Sequence, residues 1–440
     1  MKRILLLLLL VLPGVARAQT PEPTPLTLDE AIAQGLANSQ RLAELSARAE
    51  AADFAIAGRR ASELPSVSLQ GGYTRTNHVD VFVIAQPGFP PQVVYPDIPD
   101  NYRARLDLQW PIYTGGRADA LERAARAERT AIASDIDAAR GDLRLEITRA
   151  YWAAVTAGDA QVVLRRSMDA VESHVKDVRA RLGEGLVPPN DVASAEAQAS
   201  HQRLLLIEAT NQRAIAEADL ARLTGRDAVT VVPPAPPSDP GQTAATSPAA
   251  ALVAEALGGR AERTALEQRA RSADARAEAV TSGSRPQVAV GSGYDYARPN
   301  PRIFPRSSDW KPSWDASVNV SWTLWDGGRR AAEHGEAVAN AAALRTRIGE
   351  LDRQVTFEVR ARALELESSR QAVVAAEDGV RAAVEAERVV GERYKAGVVT
   401  STDVLDAQIA RLQAELDRTR AVAGVRLAEA RLERAVGRRH

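Results

Sequence analysis

Two short stretches alternate completely between apolar and polar positions. In Tyr102-Arg-Ala-Arg-Leu-Asp-Leu-Gln-Trp110 the even positions are Tyr102, Ala104, Leu106, Leu108 and Trp110, and the odd ones are Arg103, Arg105, Asp107 and Gln109. In Trp314-Asp-Ala-Ser-Val-Asn-Val-Ser-Trp322 the even positions are Trp314, Ala316, Val318, Val320 and Trp322, against Asp315, Ser317, Asn319 and Ser321. A period of two predicts β-strands with one apolar and one polar face. Ser66–Thr74 and Gln287–Tyr296 alternate less cleanly, with Val67, Leu69, Tyr73 and Val288, Val290, Tyr294, Tyr296 on one face. About nine or ten residues is the length of a tilted transmembrane strand, and aromatics at the ends of the apolar face suit an interfacial girdle. The same alternation also fits a half-buried sheet in a soluble sandwich. Elsewhere the period lengthens. Leu26-Thr-Leu-Asp-Glu30 opens a helix with Thr27 as N-cap and Glu30 at the third helical position, and that helix is expected to run to about Ser62. Ala118 to about Leu182 and Arg329 to about Lys395 each read as one long helix rich in Ala, Arg and Glu. At 1.5 Å per residue such a helix extends roughly 100 Å, which calls for coiled-coil-like packing along its length.

The chain is duplicated. Trp110-Pro-Ile-Tyr-Thr-Gly-Gly-Arg117 recurs as Trp322-Thr-Leu-Trp-Asp-Gly-Gly-Arg329, 212 residues on. At the same offset Arg181, Gly185, Val187, Asp191 and Ala195 meet Arg393, Gly397, Val399, Asp403 and Ala407. Upstream the offset is 221, as in Pro65, Val67 and Tyr73 against Pro286, Val288 and Tyr294. The difference falls in a longer, proline-rich loop of the first copy, Val79–Pro99. Each copy reads helix, two strands, long helix, turn, helix. The expected boundaries are a leader at 1–18, a first repeat at 19–225, a Pro-rich linker at 226–247 and a second repeat at 248–440.

Composition narrows the class. The nine apolar residues Ile4–Leu12, behind Lys2 and Arg3 and ahead of Ala16-Arg17-Ala18, form a secretory signal too short to span a bilayer. No later run predicts a membrane helix, so insertion would have to use strands. Four strands cannot close a membrane barrel, whose smallest members have about eight. Several chains would have to share one barrel, and three would give twelve strands. The chain has no cysteine, which excludes disulfides, thiolate metal sites, cysteine nucleophiles and a lipid anchor on an N-terminal cysteine. Lys+Arg 56 against Asp+Glu 57 argues against nucleic acid as a partner. No catalytic constellation, cofactor motif or metal-ligand spacing is present, so no enzyme activity, cofactor or metal is expected.

Four segments carry a resemblance over nearly the whole mature chain: Leu26-Thr-Leu-Asp-Glu-Ala-Ile-Ala33; the strand-end pairs Gly115-Gly116 and Gly327-Gly328; Arg181-Leu-Gly-Glu-Gly-Leu-Val187 with Asp191-Val192; and Arg393-Tyr-Lys-Ala-Gly397 with Asp403-Val-Leu-Asp-Ala407. With them the chain resembles the TolC-like outer membrane efflux proteins. The resemblance implies a mainly α, mixed α/β homotrimer. Each chain would give four strands to a shared β-barrel in the outer membrane, continuous with a long periplasmic α-helical barrel. It implies a passive exit duct of a tripartite efflux or type I secretion system, working with a periplasmic adaptor and an inner-membrane pump. On this reading Leu106, Leu108, Trp110, Val318, Val320 and Trp322 face outer-membrane lipid. Gly185, Leu186, Val187 and Gly397, Val398, Val399 form tips on which the adaptor docks. Asp403 and Asp406, one helical turn apart, would ring the periplasmic entrance, and Tyr394 and Asp191 match positions that hold it closed. One departure stands out: the arginine of that closing network is Val399 here, so the lock must use another cation among Arg393, Lys395 and Arg181.

Plainer readings exist for each feature. The tip glycines are also ordinary helix C-caps, followed by restarts capped at Asn190 and at Ser401 or Thr402. Acids in a first turn favour the helix dipole without any gate. A periplasmic coiled-coil adaptor or scaffold, and a secreted enzyme with helical arms, are the rival classes; the paired amphipathic strands oppose the first and the missing active-site pattern the second.

Overall fold

The computed structural model describes residues 25–232 and 248–438. The expected leader at 1–18, and residues 233–247 of the expected linker, lie outside the described residues. The first copy comprises β1 (Pro25–Leu26), α1 (Leu28–Asn38), α2 (Gln40–Ala61), β2 (Ser66–Arg75), β3 (Phe82–Ile84), β4 (Gln92–Tyr95), β5 (Asp100–Tyr113), α3 (Arg117–Gly183), α4 (Pro189–Thr224) and β6 (Thr230–Val231). The second comprises α5 (Ala249–Gly259), α6 (Ala261–Thr281), a short 3-10 turn, β7 (Gln287–Arg298), β8 (Lys311–Ser321), α7 (Arg329–Lys395) and α8 (Ser401–Val436). Both long helices have 67 residues. No helix among the described residues is long and apolar enough to cross a membrane.

The chain divides into two compact units. One holds the segment up to Asn38 with 146–232 and 369–427; the other holds 39–145, 248–368 and the residues from Ala428 on. The first is helical apart from the parallel pair β1–β6. Small side chains set its packing: Ala31 and Ala154 are buried, and Ala195 and Ala199 cluster with Val171, Val175 and Leu405. Tyr151 is buried, with its hydroxyl donating to the Val232 carbonyl at 2.5 Å. The second unit contains one four-stranded antiparallel sheet in the order β2-β5-β7-β8, so the two copies meet along β5 and β7. The registers Leu69↔Leu106, Leu106↔Tyr294 and Tyr294↔Trp314 carry one apolar face across all four strands. Each strand pair turns into its long helix through two left-handed glycines, Gly115 and Gly116 (φ 71° and 88°) and Gly327 and Gly328 (φ 70° and 88°).

The structure departs from the sequence reading at three places. The opening helix is broken at Ser39, whose side chain caps α2 by accepting from Leu42 N. Its counterpart breaks 221 residues on, at Arg260, a buried guanidinium that donates to the Ala435 carbonyl (3.0 Å) and the Glu358 carboxylate (2.9 Å). The long loop of the first copy contains a hairpin, β3–β4. The helix restarts are capped earlier than expected. Pro189 is the first residue of α4, where its fixed φ and missing N–H cost nothing. The α8 cap is Thr400, whose N–H and hydroxyl both donate to Asp403 Oδ2 at 2.7 Å while Asp403 N donates back to Thr400 Oγ1 at 3.3 Å. Thr27 and Glu30 form the expected box at the head of α1.

Thr400→Ala is expected to cost about 0.5–2 kcal/mol of stability in denaturant unfolding, the usual range for a lost cap. Thr402→Ala, inside the first turn, should cost much less, and equal losses would return the cap to Thr402.

Candidate functional site

The sheet leaves its apolar face bare, while the aspartates of its charged face are buried or half-buried. On β7, Tyr294 and Tyr296 are exposed while Gly293, Asp295 and Ala297 between them are buried. Val318 and Val320 of β8 are 68% and 67% exposed; Asp295 is 2% exposed. Leu106, Trp110 and Trp322 are likewise exposed, and Leu108 is half-buried on the same face. A sheet in a soluble sandwich would do the reverse. The aromatics gather at both ends of the bare face. At one end the indoles of Trp110 and Trp322 donate to the carbonyls of Glu63 (3.2 Å) and Ser284 (2.9 Å), equivalent residues of the two copies. At the other, Tyr73, Tyr102, Trp310 and Tyr296 run in a row with centroids 5.0–6.1 Å apart.

The charged face is held by ion pairs that cross the sheet. Asp295 accepts Arg103 Nε at 2.9 Å and Nη2 at 2.5 Å, and Arg105 Nη1 at 3.1 Å. Arg105 continues to Asp107 (2.7 Å) and, over β7, to Asp315 on β8 (3.2 Å), which also takes Arg302 at 3.0 Å. Gly293 makes this reach possible, because a Cβ there would collide with the Arg105 guanidinium. Three arginines and three aspartates balance. The alternation located Arg103, Arg105, Asp107 and Asp315 on this face; Asp295 stands in the less regular strand and is visible only once the register is known.

Residues of the helix tips form a second constellation, within the first unit. Both long helices end in a Schellman motif. Gly185 N and Leu186 N donate to the Leu182 and Arg181 carbonyls at 3.0 and 2.9 Å, and Gly397 N and Val398 N to those of Tyr394 and Arg393 at the same distances. Gly185 and Gly397 share φ 74°. The motif leaves Leu186 and Val398 66% and 63% exposed, with Val187 and Val399 half-buried. Beneath the tips lies Tyr394, buried. The Arg181 guanidinium sits 4.3 Å from its ring centroid and Nη1 donates to its carbonyl at 3.4 Å. The His174 ring packs against it at 5.4 Å, and His174 Nε2 is hydrogen-bonded to Ser401 Oγ at 2.9 Å. Burial holds His174 below its ordinary value and raises the Tyr394 phenol, and the Asp191 charge acts on both rings. Of the three candidate cations, Arg181 is the one on Tyr394.

The structure thus gathers Tyr394 and Asp191 and leaves Asp403 and Asp406 exposed at the start of α8. The Asp403 carboxyl is held below the usual range by the two Thr400 hydrogen bonds, as a capping residue's would be. The sequence reading did not single out His174, and it named Ser401 only as a candidate helix cap. A lone polar residue in a long helix gives no local sign of a partner 227 positions away.

The model of the outer membrane efflux protein family matches the chain over residues 31–226 and 252–438. No curated protein matches it. Among solved structures the chain is similar to a membrane protein from Pseudomonas aeruginosa, at 21% identity over 93% of both chains with a TM-score of 0.76. It is similar to the outer membrane protein VceC from Vibrio cholerae, at 19% identity over 93% of this chain and 96% of that one, TM-score 0.74. A third is the open state of the Neisseria gonorrhoeae MtrE outer membrane channel, at 19% identity over 93% of this chain and 88% of that one, TM-score 0.74. At these identities the likeness establishes the fold.

The buried histidine sets a pH dependence. Because the folded chain resists a proton that the unfolded chain accepts near 6.5, stability is full above that pH and declines as pH falls below it. Melting temperatures measured from about pH 8 down to about pH 5 should fall further in the native protein than in His174→Gln. Parallel curves would assign the pH dependence to another group.

Proposed function

The chain belongs to the outer membrane efflux protein family, and from that premise we propose that it is the passive exit duct of a tripartite efflux or type I secretion system. Three copies each give β2, β5, β7 and β8 to one twelve-stranded barrel, and their helices to a periplasmic α-barrel. The observation that carries this reading is the four-stranded sheet, with its apolar face uncovered and with β2 and β8 as edges unpaired among the described residues. An open edge is not viable in lipid, so the edges require neighbours. Leu106, Leu108, Trp110, Val318, Val320 and Trp322 then meet lipid, and the Arg–Asp network lines the interior. The duct performs no reaction; a partner pump supplies the energy. A coiled-coil adaptor would give the bare apolar sheet no role.

On the periplasmic side, Gly185–Val187 and Gly397–Val399 are proposed as the docking tips for the adaptor. The exposed Leu186 and Val398 support this, since each Schellman turn lifts one apolar side chain away from the bundle. Asp403 and Asp406, tripled by symmetry, would give two rings of carboxylates at the entrance and favour cations. The Arg181–Tyr394–His174–Ser401 cluster takes the place of the missing arginine at Val399 and ties α3 to α7 and α8 near that entrance.

The native chain is expected to fractionate with outer membranes and run as a trimer in mild detergent. Val318→Arg should impair assembly, since Arg at a barrel's bilayer midplane costs roughly 2–4 kcal/mol. Asn319→Arg, on the opposite face, should be tolerated, and equal effects would show the facing to be reversed. Leu186→Asp with Val398→Asp should weaken adaptor crosslinking while leaving trimer yield intact. Unchanged crosslinking would remove the tips as the docking surface.

A further inference from the structure

The hairpin β3–β4, in the turn between β2 and β5, has no counterpart in the second copy. From Val79 to Pro99 its only charged side chains are Asp80 and Asp97. Val81, Phe82, Ile84 and Val93 are exposed, and Phe89 at its tip is 72% exposed. The hairpin is nevertheless well anchored. Thr76 N donates to the Pro99 carbonyl at 2.8 Å, and Asp97 takes Val79 N on one oxygen (3.2 Å) and His78 Nδ1 on the other (2.7 Å). An apolar two-stranded ribbon with open edges is marginal in water and needs a cover.

Arg306 shows to which side of the sheet the hairpin is tied. It stands in the turn between β7 and β8, donates Nη1 to Tyr95 Oη at 2.8 Å and lays its guanidinium 4.8 Å from the Tyr95 ring centroid. Arg306 also lines an open cavity of about 320 Å³ together with Gln70, Gly72, Thr74, Asn101 and Arg103. By register those five lie on the polar face. The hairpin is therefore tethered on the charged side of the sheet, opposite the exposed aromatic row.

We infer that the apolar hairpins of three copies meet over the polar interior of the shared barrel and plug its outer end. The occupant of each hairpin's apolar surface is the same hairpin of the neighbouring copies. This rests on the shared-barrel reading. Two observations commit it to a second copy rather than to lipid. The tether through Arg306 is on the face away from lipid, and the hairpin springs from β2, an open edge of the sheet and so adjacent to the next chain. An apolar constriction of this kind resists water and ions by dewetting.

The chain's lack of cysteine makes the test clean. Phe89→Cys in outer membranes should give interchain disulfide dimers on oxidation. In a second variant, Asn319→Cys on the polar face reports access from outside the cell. A bulky impermeant maleimide should label it several-fold faster once Phe82→Asp and Phe89→Asp place like charges in the plug. Absent crosslinking with normal trimer yield, or an unchanged labelling rate, overturns the plug and leaves the duct standing. A native chain that never forms trimers sinks the shared barrel and the plug together.

Discussion

A strand placed in hydrocarbon must have every backbone N–H and C=O paired, and this chain builds a sheet that cannot satisfy that rule alone. Its two inner strands are paired on both sides; among the described residues β2 and β8 offer open edges, and β2 is exposed along its whole length. The side chains are sorted for the same environment. Valines, leucines and aromatics share one face, and Arg103, Arg105, Asp107, Asp295 and Asp315 share the other, where they pair with one another. Gly293 is the residue on which that sorting turns. By leaving the space above β7 empty, it lets one guanidinium on β5 serve carboxylates on three strands. Arg and Asp brought together this way offset each other's loss of water, whereas either alone would leave a costly uncompensated charge.

The helical unit works with smaller means. Alanine at the buried positions lets helices approach closely over long distances, while caps and left-handed glycines fix where each helix stops. Duplication made the two tips alike in backbone, with the same Schellman bonds and the same φ at Gly185 and Gly397. Side chains make them different. Leu182, Ala386 and Pro189 stand where the other copy has Tyr394, His174 and Ser401, or their repeat equivalents. The buried aromatic cluster is thus made once per chain, from one helix of the first copy and two of the second. Protonating His174 would put a second cation beside Arg181 around Tyr394, so the helix tips carry a sensitivity to acid.

The loops of the sheet divide the labour between the copies in the same way. The turn between β7 and β8 is short and basic, with Arg302 on Asp315 and Arg306 on Tyr95. The turn between β2 and β5 is longer and apolar. One supplies the tether and the other the surface that needs covering, so the extra length of the first copy acquires a purpose only beside its partner loop.

The strands, the long helices and the first capping box were legible in the sequence because each is a relation between near neighbours: positions two apart for a strand, three or four apart for a helix or a cap; the duplicated order was legible because the same motifs recur in the same sequence. The resemblance added the trimer and the expected roles of Asp403, Asp406, Tyr394 and Asp191. Tertiary structure decided what near neighbours cannot. It showed which face of the sheet is bare, that Arg181 rather than Arg393 or Lys395 lies on Tyr394, and that His174 meets Ser401. It also set the α8 cap at Thr400, ahead of the Ser401 and Thr402 of the sequence reading, a choice among consecutive residues that depends on where the preceding turn releases the chain. Periodicity could sort residues into faces, but only the register of β5 against β7 could bring Arg105 to Asp295 and Asp315, because those contacts join segments about 200 residues apart whose partners exist only after folding.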